Sequence, residues 1–461
     1  MILNKIIKPS CSQCLKNFSS SATPKPKVVP DTKVLEDISN QIYKPRLHPG
    51  VFKTKTFTVP DTFVKAAIKT LEDYPVKSLV EAGRKLSSHL TKKVPPLERE
   101  ELSEHVEKIK QKLIKRYGEV TLENPEDAQK FKHMIKEKVN FILRENTYNW
   151  KPMKYDTYNS LVYLLGRAPA EYAVLSKIFG EIAQRDTDFT PRSLFDFGSG
   201  IGTVTWAANS YWKKHIYEYY NVDSSAEMND LAQILLQGGT GTGNSMIKGT
   251  FYRQFLPASN VEYDLVTSAY SLMELPSLTS RLETVLNLWN KTKNYLVIVE
   301  HGTNAGYKVV NEVRDFILQI DKEGSIGHVF SPCSHDKICP RFLAKDGTPC
   351  NYEIKYFSMP IGQKPDVYKE LYSYVVLKKG PRQNEPVWPR IVRPTLVRSK
   401  HSICRVCTAG GNLDEVIFTA KKHGKMTYHC ARSSKWGDLL PVTLEENAEF
   451  VDDDNDENIP N

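Results

Sequence analysis

Residues 194–300 predict an α/β fold built on a parallel sheet, on two observations. Short apolar runs alternate with segments of helical periodicity, the pattern of strands joined by covering helices. The first run also ends in Asp196-Phe197-Gly198-Ser199-Gly200-Ile201-Gly202, a glycine-rich turn that opens the next helix.

The first strand is expected at 193–197, the second at 216–223, the fourth at 264–268 and the fifth at 295–300. A third is poorly marked around 246–251. Runs at 351–357 and 372–377 are expected to close the sheet as an antiparallel pair, which leaves Cys333, Cys339 and Cys350 in a loop inserted before its sixth strand. With this insertion at 329–350, the sheet domain is read as residues 155–380. At its start, Leu161, Leu164 and Leu165 lead into Arg167-Ala168-Pro169-Ala170-Glu171-Tyr172, two helices broken at Pro169 that cover the entrance.

Around this domain, residues 31–154 read as a helical, charged N-terminal region, with one long exposed helix between Pro96 and Tyr117. Beyond Gly380, a linker with Pro381, Pro386, Pro389 and Pro394 leads to a basic, β-rich module over 381–441. There, strands at 402–406 and 415–419 flank the turn Cys407-Thr408-Ala409-Gly410-Gly411. Residues 442–461 hold eight acids and no Lys or Arg, and are expected to be disordered.

The net charge of +9 is unevenly spread. Residues 331–440 carry 19 Lys and Arg against nine Asp and Glu, a concentration that favours a polyanion such as RNA through phosphate neutralisation. No apolar run approaches the roughly 20 residues that a membrane-spanning helix needs, so no membrane partner is expected. Residues 1–30 combine five lysines with Ser10, Ser12, Ser19, Ser20 and Ser21, no acid, and Ile2, Leu3, Ile6 and Ile7 at helical spacing. That segment resembles a mitochondrial transit peptide and predicts the mitochondrial matrix; Cys11 and Cys14 would leave with it.

Glycines at 198, 200 and 202 let the backbone approach a ligand where side chains would collide. Asp196 can accept from a methionine ammonium, and Asp223, 27 residues later at the end of the second strand, can accept ribose hydroxyls. The order Asp-x-Gly-x-Gly-x-Gly, with Ser199 inside it, is similar to the first motif of class I methyltransferases rather than to the dinucleotide fingerprint Gly-x-Gly-x-x-Gly. S-adenosylmethionine is therefore the expected cofactor. No catalytic residue is identified: the fourth strand runs into Ser268-Ala269-Tyr270-Ser271, no cysteine nucleophile occurs within 194–300, and Glu274 reads as a cap or surface charge.

Cys333, Cys339, Cys350, Cys404 and Cys407 cluster in a compartment that keeps thiols reduced, which argues for metal ligation over disulfides. Four thiolates suit a [4Fe–4S] cluster; zinc on Cys404, Cys407 and two loop cysteines is the alternative, and unliganded buried thiols are the third possibility.

Together, these residues resemble the methyltransferase-like protein 17 group of mitochondrial small-ribosomal-subunit assembly factors. The resemblance covers about residues 158–441. It rests on Arg167-Ala168-Pro169-Ala170-Glu171-Tyr172-Ala173, the glycine loop, Tyr263-Asp264-Leu265-Val266 with Glu274-Leu275-Pro276, and Glu300-His301-Gly302-Thr303. Cys333-Ser334-His335-Asp336 with Cys339-Pro340, and Trp436-Gly437-Asp438-Leu439, complete it. It implies a Rossmann-like class I methyltransferase fold and a [4Fe–4S] cluster on Cys333, Cys339, Cys350 and Cys407, with Cys404 a rival fourth ligand. It also implies binding to small-subunit rRNA and ribosomal proteins, as a monomer on the ribosomal precursor, with transfer activity lost. The competing expectation is an active rRNA methyltransferase.

Overall fold

The computed structural model describes residues 26–52, 56–96, 98–117, 125–146, 150–258, 261–320, 326–383 and 386–445. Most of the leader and the tail from residue 446 onward, with Cys11 and Cys14, lie outside these.

The described chain begins with a strand, β1 (Lys27–Pro30), followed by α1 (Thr32–Ser39), whose N-terminus is capped by the Asp31 carboxylate accepting from Val34 N at 2.9 Å. Next come α2 (Asp61–Thr70) and α3 (Val76–Thr91), amphipathic helices that bury Phe63, Leu79 and Leu86. The long exposed helix expected before Tyr117 is present as α4 (Arg99–Tyr117). It pairs with α5 (Pro125–Asn146) around its own small core of Leu113, Ile135 and Val139.

The entrance helices are α6 (Thr157–Gly166) and α7 (Ala168–Arg185). Pro169 sits in the first turn of α7, where a missing N–H costs nothing, so the break falls at Arg167. Gly166 and Gly83 let α6 and α3 cross in backbone contact: a Cβ on Gly166 would meet Gly83 O at 2.5 Å.

The sheet then assembles from β2 (Ser193–Phe197), β3 (Glu218–Val222), β4 (Thr250–Arg253), β5 (Tyr263–Ala269) and β6 (Thr292–His301), all parallel. The helices between them are α8 (Thr203–Trp212), α9 (Ala226–Leu236) and α10 (Leu278–Asn290). After β6 come α11 (Asn304–Ile320), β7 (Gly327–Ser331), α12 (Pro340–Ala344), β8 (Tyr352–Phe357) and β9 (Val367–Lys379). The spatial order is β4-β3-β2-β5-β6-β9-β7, with β9 antiparallel to β6, β7 and β8. Five parallel strands, a reversal of order at β2 and an antiparallel end make this the Rossmann-like arrangement of class I methyltransferases.

The place of the cysteine loop is corrected. The strand β7 was not foreseen, because Gly-His-Val-Phe-Ser is short and shows no clean alternation, so the cysteine loop follows the sheet's sixth strand instead of preceding it. The sheet is buried on both faces. Leu194, Leu265 and Val297 meet the helices α7 to α9 on one side, and Phe195, Val266 and Ile298 meet α10 and α11 on the other.

The C-terminal module holds β10 (Arg390–Ile391), β11 (Leu396–Val397), β12 (His401–Cys407) and β13 (Leu413–Thr419) in one antiparallel sheet. Two helices complete it: α13 (Ala420–His423) and α14 (Lys425–Ser433), the latter packing Tyr428 and Ala431 on Cys404 and Phe418. These helices were not anticipated in a β-rich module. A last strand, β14 (Val442–Glu445), pairs antiparallel with β1, so four residues expected in the disordered tail and four expected in the leader are ordered against each other.

Candidate functional site

Two sites stand out, one at the glycine loop and one among the cysteines. At the first, Gly198, Gly200 and Gly202 all take left-handed backbone angles, with φ of 71°, 49° and 80°. Only glycine adopts these without strain. Gly198 N and Ser199 N donate to Val222 O at 2.8 and 3.0 Å, which ties the loop to β3. A Cβ on Gly198 would strike the Ser271 Cβ at 2.3 Å, whereas one on Gly200 would meet nothing within 4 Å. The loop is thus backed by protein at Gly198 and open at Gly200.

The opening is a cavity of about 250 Å³ whose wall includes Gly198, Gly200, Asp223, Tyr155, Tyr163 and Tyr270. Of the six residues predicted to bind a cofactor, Gly198, Gly200 and Asp223 line it; Asp196, Ser199 and Gly202 lie behind. Asp223 accepts from Gly200 N at 2.8 Å and from Ser225 N at 2.9 Å, so it shapes the loop as well as facing the cavity. Burial raises its carboxyl pKa against those two donors. Asp196 is fully buried, and neither of its carboxylate oxygens has a hydrogen-bond partner in the structure. Burial, then the neighbouring Asp223 and Glu171, push it well above the usual carboxylate range. A buried acid with no donor is a place where a cationic group would be welcome.

Sequence reasoning missed what closes this cavity. Glu274 bonds Lys93 Nζ and accepts from Met153 N at 2.9 Å, and Trp150 Nε1 donates to Met273 O at 3.0 Å. The segment before α6 is thereby strapped across the rim, which gives Glu274 a structural partner set. Beside it, the Ser268 and Ser271 hydroxyls lie 2.6 Å apart, and Ser271 donates to Phe197 O at 3.1 Å.

At the second site, Cys333, Cys339, Cys350 and Cys407 line one small enclosed cavity together with Tyr352, Arg341, Arg390 and Arg393. Cys333 follows β7, Cys339 precedes α12, Cys350 precedes β8, and Cys407 ends β12. The loop carrying the first three is fixed from behind: Arg314 donates to His335 O at 3.2 Å and Lys337 O at 2.6 Å, and Arg390 Nε donates to Pro332 O at 2.7 Å. Tyr307 OH donates to Cys339 Sγ at 3.2 Å, and His335 Nε2 lies 3.3 Å from Cys407 Sγ.

Strand geometry separates Cys407 from Cys404. Three residues apart on β12, they point to opposite faces. Cys404 joins Val406 and Phe418 in the module's core, its Sγ 3.7 Å from Ala431 O, while Cys407 faces the cysteine loop. Burial pushes the Cys350 thiol up to about 12, with Cys339 and Cys333 adding to the shift; Cys407 goes well above its ordinary value for the same reasons. A cation seated among these sulfurs would stabilise their thiolate forms. Among the described residues, no three His, Cys, Asp or Glu side chains are grouped so as to hold a single metal ion.

Residues 157–441 match the family model of Rsm22, described as mitochondrial small ribosomal subunit Rsm22. The chain is 38% identical over 402 residues to the human protein named ribosome assembly protein METTL17, mitochondrial, covering 86% of each. It is 27% identical to the Rsm22-cox11 tandem protein 2, mitochondrial, of Schizosaccharomyces pombe, over 61% of this chain and 43% of that one. Among solved structures, a SAM-dependent methyltransferase from Aquifex aeolicus is similar over 48% of this chain and 99% of that one, at 13% identity and a TM-score of 0.31. A putative RNA methyltransferase from Pyrococcus horikoshii reaches 0.26 at 15% identity, over 47% and 84% of the two chains. Both of these likenesses are too slight to carry weight. The named relatives are mitochondrial, as expected of this chain. With its sheet, glycine loop, cysteine loop and C-terminal module all inside the matched span, the chain belongs to the Rsm22 family of the mitochondrial small ribosomal subunit.

Proposed function

We propose that this chain is a matrix assembly factor for the mitochondrial small ribosomal subunit, which engages rRNA and ribosomal proteins as a monomer and transfers no methyl group. S-adenosylmethionine is held at Gly198, Ser199, Gly200 and Gly202, with the methionine ammonium toward Asp196 and the ribose toward Asp223. A [4Fe–4S] cluster is held by Cys333, Cys339, Cys350 and Cys407. Residues before Lys27 serve as the import leader.

The observation that carries this reading is the convergence of four thiols, three from the sheet domain's loop and one from β12, on a single cavity. A cluster ligated there would cross-link the C-terminal module to the sheet domain and hold its positive surface rigid for RNA. The cation-rich surroundings, Arg314, Arg341, Arg390 and Arg393, suit a centre of net negative charge.

Iron, sulfide and zinc content, with an absorption spectrum of anaerobically purified protein, test the centre. Iron and sulfide in equal amounts with little zinc are expected; a metal-free native protein sinks the reading. Incubation with labelled methyl donor and small-subunit rRNA tests the remainder. No label should enter the RNA, and transfer to any fragment would replace this reading by an active methyltransferase.

A further inference from the structure

Beside the glycine-loop cavity, at the same carboxyl edge of the sheet, a second and larger cleft opens between α3 and the ends of β8 and β9. Its volume is about 470 Å³, in the range of small-ligand pockets. Gly302 and Thr303, which directly follow β6, form part of its floor.

Its lining combines cations, hydroxyls and aromatic rings. Arg84 donates to the Gln363 amide oxygen at 2.5 Å, and Lys92 has no ion-pair partner among the described residues. Lys369 adds a third cation, 3.1 Å from Glu353. The lining carboxylate, Glu370, is neutralised from within by Arg167 at 3.1 Å, so the cleft presents net positive charge. Ser87, Ser88 and Thr91 add hydroxyls along one turn of α3. Opposite them, Tyr356 and Tyr368 form a stacked cross-strand pair, ring centroids 6.0 Å apart and planes 29° from parallel. Cations for a phosphate beside half-buried aromatic rings for a base are the combination that binds single strands.

A buried charge cluster walls the cleft off from the glycine-loop cavity. Arg167, with no exposed surface, lies 3.1 Å from Glu370 and 3.5 Å from Glu171, and stacks over the Tyr270 ring at 5.0 Å. His301 Nδ1 completes the wall, 3.4 Å from Glu370. Tyr270 faces one cavity and Glu370 the other.

We propose that this cleft captures one nucleotide of single-stranded RNA, its base against Tyr356 and Tyr368 and its phosphate on Arg84, Lys92 and Lys369, out of reach of the methyl donor. The proposal deepens the RNA-binding reading above and rests on it. Duplex RNA does not enter a concave site of this size, so the strand recognised is an unpaired one.

The test is binding of the full chain to a fluorescein-labelled single-stranded RNA hexamer of mixed sequence, with a duplex of equal length beside it. Tyr368→Ala should weaken the single strand about fivefold or more while Tyr368→Phe preserves it. Arg84→Ala with Lys369→Ala should flatten the salt dependence by about 0.7 in slope, the worth of the one phosphate held. A hexamer carrying 4-thiouridine should crosslink to Tyr356, Tyr368 or a neighbour of either. Because Lys421, Lys422 and Lys425 lie in the other module, their triple alanine variant should lower affinity without moving those crosslinks. Crosslinks confined to residues 386–445, with unchanged affinity in the cleft variants, overturn the proposal and leave the RNA-binding reading standing. A wild-type chain that binds neither RNA overturns both.

Discussion

Arg390 Nη2 lies 2.6 Å from Glu181 Oε1, and both side chains are buried. Arg390 begins the C-terminal module on β10 and Glu181 belongs to α7, so this pair fastens the module to the sheet domain beside the cysteines. The same guanidinium also donates to Pro332 O and Gly437 O, each at 2.7 Å. Burial alone would raise the Glu181 carboxyl, yet Arg390 and Arg185 outweigh it and hold the group at about 2.

Breaking this pair from one side should be costly. Arg390→Met takes the nearer of two guanidinium partners from a buried carboxylate, leaving Arg185 at 2.9 Å, and is expected to lower unfolding stability by about 3 kcal/mol, while adding Glu181→Leu should recover much of that loss. Because the folded pKa of Glu181 is depressed, its contribution is present above its ordinary value near 4.5 and fades as pH falls toward 2. Urea unfolding of both variants at pH 7 and pH 3 measures this; equal losses in the single and double variants would contradict it.

The glycine loop separates two kinds of substitution. Gly198→Ala forces a Cβ against Ser271 at 2.3 Å and strains a φ of 71°, so it should both destabilise the fold, by about 1–3 kcal/mol, and abolish S-adenosylmethionine binding. Gly200→Ala meets open space, so its fold cost should stay near 1 kcal/mol, the backbone term alone. Its methyl group would project toward the cavity, and calorimetric titration with the cofactor should show the affinity lost in a protein that still melts cooperatively.

Much of this was legible in the sequence, and the failures have physical reasons. The Asp196–Gly202 loop and the strands around it announced themselves, because a buried parallel strand must be apolar throughout and a left-handed turn must be glycine. The strand β7 stayed hidden: Gly327 packs on Trp289 and the His328 side chain bonds the backbone at Gly380, neither of which alternation reveals. Composition likewise could not say that Glu274 straps the N-terminal region over the cavity, since its partners Lys93 and Met153 are brought together by tertiary folding alone. Nor could spacing choose between Cys404 and Cys407; the alternation of β12 about Val406 divides them once the strand's pairing with β13 is known.

That division is testable. Cys407→Ser should lose most of the bound iron, whereas Cys404→Ser should retain it and melt lower, because a hydroxyl would replace a sulfur in an apolar core. Iron per chain and melting temperature, measured together on the two variants, check the assignment. Iron lost from Cys404→Ser and kept in Cys407→Ser would reverse it.

Glu300, at the end of β6, supplies a pH dependence of opposite sign to that of Glu181. Burial pushes its carboxyl up to about 8, against the Met273 backbone donor at 3.3 Å. A raised carboxyl keeps its proton in the folded chain after the unfolded chain has released it. Stability therefore falls as pH rises from about 4.5 to about 8, by about 1.4 kcal/mol per unit at most, and is level above. Glu300→Gln removes the titration, so the stability of this variant relative to the parent should climb between pH 5 and pH 8; a constant difference would show that Glu300 is ionised throughout.

The pairing of β1 with β14 sets a limit on where an import leader ends. Val28 and Leu444 pack on the module's core, Lys27 pairs with Glu445 at 3.0 Å, and Asp31 N donates to Pro441 O at 3.1 Å. Asp31 also accepts from Trp388 Nε1 at 3.1 Å while capping α1, so the strand and helix enter the fold as one unit. A cut after Pro30 would strip β1 and leave β14 as an open edge beside the C-terminal core. The mature chain is therefore expected to begin upstream of Lys27, which mass spectrometry of its N-terminal peptide from mitochondria would establish. A recombinant chain starting at Asp31 should melt several degrees below one starting at residue 26, and ending the chain at Pro441 should have a comparable effect, since either deletion removes one partner of the same pair. If the two deletions together lower the melting temperature by the sum of their separate effects, β1 and β14 act independently and the pairing contributes nothing.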